Sequence, residues 1–67
     1  MIIDIYSNLR EFLGYPVKLV RYDLGIFIVK NLNSDTTVGV VSSRETSLRG
    51  VKIYKRYYFY SMETVAL

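Results

Sequence analysis

The tetrapeptide Leu13-Gly14-Tyr15-Pro16 divides this chain into two stretches of different character, and the division limits what it can fold into. Ahead of it, Ile5, Leu9, Phe12 and Leu13 recur at helical spacing and Asp4 can cap, which predicts a helix over about residues 3–13. Gly14 suits the left-handed residue that ends many helices. Pro16 forbids continuation and pushes Tyr15 toward extended geometry, so a strand is expected from about Val17.

Beyond Pro16 valine, isoleucine, threonine, tyrosine and phenylalanine dominate, broken by short polar clusters, as in consecutive strands. "VKLVRY" (17–22) is a first strand, "YDLG" a turn around Gly25, and "IFIVKNL" (26–32) a second, central strand. "NSD" turns the chain again, with Asp35 expected to bond nearby backbone amides. "TTVGVVS" (36–42) is a third strand, in which Gly39 marks a bend, a close approach or a merely tolerated glycine. "SRETSLRG" (43–50) is a polar loop, residues 51–59 form a long fourth strand, and "METVAL" (62–67) a short fifth. The expected fold is mainly β: one domain over residues 1–67, a short N-terminal helix followed by a five-stranded, strongly bent antiparallel sheet forming a small SH3-like barrel. Leu9, Phe12 and Leu13 should face inward across its open end, and Arg10 and Glu11 outward.

A 67-residue domain buries only about 60% of the surface its unfolded chain exposes, so it needs support beyond its own core. The sequence has no cysteine and no histidine, which removes disulfides and the usual zinc ligands and leaves oligomerisation. The same absences remove the commonest catalytic bases and nucleophiles. The six carboxylates are scattered singly and the four glycines are isolated, so neither a catalytic pair nor a phosphate loop is expected, and no metal or cofactor. The longest uncharged apolar run, Leu24 to Val29, is far too short to span a membrane. Asp4 lies where a signal peptide would be apolar, and a cytoplasmic protein is expected.

The stretch "VKIYKRYYFY" (51–60) is the most informative. If it is one strand, Val51, Ile53, Lys55, Tyr57 and Phe59 share a face that packs inward, and Lys52, Tyr54, Arg56, Tyr58 and Tyr60 share the other. Tyrosines alternating with cations suit single-stranded nucleic acid, with charges on phosphates and rings stacked on bases. The same residues suit a protein interface, where tyrosine gives large contact area, with Lys52 and Arg56 as solvated charges that discourage aggregation at a sheet edge. The net charge of +3, with Lys52, Lys55 and Arg56 facing only Glu63 after residue 50, invites a polyanion mildly.

Several segments resemble the Sm-like family, which includes Sm, LSm and Hfq proteins. "NLREFLGYPVKLV" (8–20) looks like the end of the Hfq helix and the Pro-Val opening the first strand. "DLGIFIVKNLNSDTTV" (23–38) resembles the first Sm motif, with Asp35, Thr36, Thr37 and Val38 in place but Gly39 where the family has Asn. "YFYSMETV" (58–65) is similar to the Hfq run Y-K-H-A-I-S-T-V, with Phe59 and Tyr60 in place of Lys-His. A rival register puts the second motif at "LRGVKI" (48–53), close to Asp35. The resemblance implies a homo-oligomeric ring, pentamer to heptamer, that binds single-stranded RNA. Thr37, Phe59 and Tyr60 would meet bases, Lys55 and Arg56 phosphates, and Asn8 and Arg10 on the helix an inner pocket. Gly39 and the missing Lys-His pair favour the other expectation, a protein-interaction barrel of viral or mobile-element origin that oligomerises or adds a strand to a partner.

Overall fold

The computed structural model describes residues 2–66, with side chains from Asp4 onward. Helix α1 (Ile2–Leu13) is followed by strands β1 (Val17–Asp23), β2 (Ile26–Asn31), β3 (Thr37–Ser42), β4 (Val51–Tyr54) and β5 (Tyr57–Ser61), then by a short helix α2 (Met62–Ala66). Because α1 begins at Ile2, Asp4 sits inside its first turn, where it favours the helix dipole rather than capping. At the other end Gly14, with φ of 89°, donates to Arg10 O at 2.8 Å. This is the left-handed stop expected from the sequence.

The five strands form one antiparallel sheet in the order β1-β2-β3-β5-β4. The sheet is compact but open: β1 and β4 are its edges and do not pair, so the expected closed barrel is not what the strands make. Helix α1 packs on both edge strands and fills the side between them. Its Asn8 Nδ2 donates to Ile53 O at 2.7 Å, which ties it to β4. Ile5 and Leu9, one helical turn apart, meet Val17, Val29, Val41 and Phe59 in a single core. Phe12, expected inward, is half exposed, and its ring meets that of Phe59 edge to face with the ring centres 6.0 Å apart.

The C-terminal third departs from the sequence reading. Residues 51–59 are not one strand: the chain reverses at Lys55-Arg56, and Tyr54 and Tyr57 face each other across the hairpin. Lys55 takes φ of 49°, a left-handed turn conformation that the sequence, lacking Gly or Asn there, does not advertise. Physically, two adjacent cations between two aromatic runs are best solvated at a hairpin tip. The expected fifth strand at 62–67 is instead helical over its described residues, with Leu67 outside them. Ser61 Oγ accepts from the amide of Thr64 at 3.3 Å, a side-chain cap of the first turn that redirects the chain. Five strands are present, but the last two both come from the run read as one.

The turns hold the meander in register. In the β2–β3 connection Asn31, not Asp35, bonds the backbone: its Oδ1 accepts from the amides of Asn33 at 2.9 Å and Ser34 at 3.4 Å. Asp35 adopts φ of 62° and pairs with Lys18 Nζ at 2.7 Å, tying the turn to β1. In the β1–β2 turn Gly25 has φ of 74°. Asp23 accepts from the Leu24 amide at 2.8 Å and from Arg44 Nη1 at 3.1 Å.

Candidate nucleotide-binding cleft

Strand register divides the side chains between two faces. Val29, Gly39 and Ser61 form one cross-strand row and Phe27, Val41 and Phe59 the next, on the face covered by α1. On the other face Val20, Ile28, Val40 and Tyr60 form a continuous row over four strands, beside a second row of Ile26, Ser42 and Tyr58. Helix α2 packs on β3 and β5. The loop of residues 43–50 returns over the same region before entering β4, leaving a cleft between itself and β5.

The cleft has a volume of about 460 Å³ and is lined by Arg44 and Glu45 from the loop, Arg56 from the hairpin tip and the rings of Tyr58 and Tyr60. Tyr60 is buried, with its ring against Gly50: a Cβ added there would meet ring carbon Cε2 at 2.6 Å. Only a glycine lets the loop lie so close to the ring. Burial first, and then the neighbouring Tyr58, push the Tyr60 phenol above its ordinary pKa, so it remains a neutral hydroxyl at physiological pH. Tyr58 is more exposed and offers ring surface at the mouth.

Short bonds shape the loop. Ser42 Oγ accepts from the Arg44 amide at 3.0 Å, Ser43 N donates to Gly25 O at 2.9 Å, and the Leu48 amide donates to Thr46 Oγ1 at 3.2 Å. The Arg44 guanidinium is steadied by Asp23. The Leu24 amide first, and then the Arg44 guanidinium, hold the Asp23 carboxyl below its ordinary range.

Of the seven residues singled out from the sequence, Arg56 and Tyr60 share this cleft. Phe59, one residue from Tyr60, points the other way and is buried in the core between α1 and the sheet. Lys55 stands at the hairpin tip with its ammonium 5.1 Å from the Tyr54 ring centre. Thr37 is exposed at the start of β3, opposite Lys30 and at the far end of that strand from Ser42. Asn8 is committed to Ile53 O, and Arg10 borders a separate shallow groove with Tyr6 and Pro16. The cleft also takes Arg44, Glu45 and Leu48, none of them among those seven, from the stretch expected only as a polar loop. Its Gly50, preceding a strand with an aromatic run behind it, is the one local signal of close packing.

Among the described residues no group of three or more acidic, histidine or cysteine side chains is placed to hold a metal ion, and no helix is long and apolar enough to cross a membrane. Compared with protein-family models, curated proteins and solved structures, the chain matches none.

Proposed function

We propose that this chain is a non-catalytic RNA-binding protein that takes single-stranded RNA on the β5 face and works as a Sm-like homo-oligomeric ring. One observation carries the reading: Arg44, Arg56, Tyr58 and Tyr60, from two separate parts of the chain, converge on one cleft. Cations beside stacking rings are the combination that holds a single strand, each stacked base contributing about 1–3 kcal/mol. Repetition of the cleft in an oligomer would multiply that affinity by raising effective concentration. The small size of the domain and its exposed apolar residues, among them Val20, Leu24 and Leu32, support assembly.

The test is titration of a labelled uracil- or adenine-rich single strand at several salt concentrations, beside light scattering with absorbance at 260 and 280 nm. Binding tighter than about millimolar that weakens steeply with salt is expected. Weaker, salt-independent binding would remove the RNA reading, and a monomer or dimer would remove the ring.

A second reading, a protein-interaction module, rests on β1. Pro16 O accepts from Leu32 N at 2.9 Å, which sets the alternation of the ladder so that the amides and carbonyls of Val17, Leu19 and Arg21 point away from β2. Past Val17, which α1 covers, the groups of Leu19 and Arg21 lie on the sheet edge beside exposed Val20 and Tyr22, where a partner's strand could add. Such binding should hold as salt rises, which separates it from the RNA reading.

A further inference from the structure

Beside the arginine-lined cleft lies a second hollow of about 340 Å³, and the two share Arg44, Glu45, Thr46, Leu48 and Tyr60 as a common wall. The second hollow has a different character. Beyond the shared wall it is lined by Ile26 and Val40 from the sheet, Val65 from α2 and Ser42. The two hollows adjoin along the 44–48 loop, one of them cationic and the other mostly apolar, and side chains of that loop and its strand already hold it in shape. Each hollow falls within the roughly 300–1,000 Å³ of ordinary small-molecule sites.

We propose that these adjoining hollows are a site for one nucleoside monophosphate unit, with the base in the apolar one against Tyr60, Leu48 and Val40, and the phosphate in the cationic one between Arg44 and Arg56. The inference rests on the RNA-binding reading and gives it a specific pocket. Each part of the ligand has a counterpart. A planar base buries both faces against aliphatic and aromatic side chains, as Leu48 and the Tyr60 ring allow. A phosphate takes paired bonds from guanidinium groups, and Arg44 is steadied for the task by Asp23. The sugar lies between, within reach of the Glu45 carboxylate as an acceptor for its hydroxyls. Arg56 makes no ion pair among the described residues, so a phosphate does not have to displace a carboxylate from it.

The experiment is an amide-resolved NMR titration of the whole chain with adenosine 5′-monophosphate, adenosine, inorganic phosphate and a short oligoadenylate RNA. The monophosphate should shift residues 43–50 together with Ile26, Val40, Tyr58, Tyr60 and Val65. Adenosine should bind at the same amides about a hundredfold more weakly, the loss of both charge-assisted contacts, and phosphate should barely shift them. Arg56→Gln should weaken the monophosphate about tenfold and leave adenosine unchanged, whereas Leu48→Ala should weaken both. Both substitutions are at exposed positions, so the fold should survive them. Phosphate alone matching the monophosphate, or an Arg56→Gln effect equal for both ligands, overturns the site. The RNA arm separates the two readings. RNA that binds while neither it nor the monophosphate shifts the cleft overturns the pocket and leaves RNA binding standing. Monophosphate in the cleft without RNA binding keeps the pocket, assigns it to free nucleotides and removes the RNA reading. RNA that competes with the monophosphate for the same amides supports both.

Discussion

The ring of Phe59 lies directly on the backbone of Gly39: a Cβ at position 39 would stand 2.6 Å from ring carbon Cε1 and would also collide with the carbonyl oxygen of Tyr60. The contact joins the two strands that carry the core on one face and the cleft on the other. Gly39 has no left-handed backbone to explain it, so space is the reason for a glycine here.

Gly39→Ala is therefore expected to destabilise the protein by about 1–3 kcal/mol, because the backbone oxygen on one side cannot move aside as a flexible side chain would. Urea denaturation of both proteins measures it. A change under about 0.5 kcal/mol would mean that β3 and β5 are not this close.

Asn8→Ala should cost about 1–2 kcal/mol, since it leaves the Ile53 carbonyl without its partly buried donor. The signature is local: amide exchange should accelerate in β4 and at the helix it touches more than in β2. Uniform acceleration throughout would argue that the bond does not anchor α1 to that edge.

The hairpin tip offers a gain. Lys55 holds φ of 49° at a cost that glycine does not bear, so Lys55→Gly should stabilise by about 0.5 kcal/mol after loss of its contact with the Tyr54 ring. Thermal melts decide it, and a clear loss of stability would mean that the cation over the ring outweighs the backbone strain.

Acid should weaken the fold through two exposed carboxylates. The Lys18 ammonium, assisted by Lys30, holds the Asp35 carboxyl below the ordinary 3.8, and Asp23 is lowered as well. A folded-state pKa below the unfolded one gives stability that is complete above the unfolded value and is lost as pH falls through the folded one. Denaturation midpoints should hold steady from neutral pH down to about 4 and fall below it. Asp35→Asn, whose side chain tolerates the left-handed turn, should flatten part of that fall. An identical acid profile in the variant would assign the loss to other groups.

Much of the first two thirds was legible locally. Gly14 and Pro16 end α1 and open β1 because their backbones leave few alternatives, and Gly25 likewise marks its turn. Period-two alternation with β-branched residues places β1, β2 and β3 to within a residue or so. After residue 50 the same signals fail. In "VKIYKRYYFY" nearly every position suits a strand, so periodicity cannot locate the reversal at Lys55-Arg56. "METVAL" favours strand and helix about equally until Ser61 caps it.

The sequence by itself determined a helix, a β-rich remainder, the absence of thiol and imidazole side chains, and a tyrosine-rich basic segment. Alternation already set Phe59 and Tyr60 on opposite faces, with Phe59 inward; only the tertiary structure decided that Tyr60 lies against the 43–50 loop, that the sheet stays open with α1 between its edges, and that Arg44 joins Arg56 at one cleft. The physical reason is range. Helix stops and turns follow from backbone constraints within a few residues, whereas the pairing of β3 with β5 rather than β4, and the fold of the 43–50 loop onto Tyr60, depend on contacts between residues far apart in the chain.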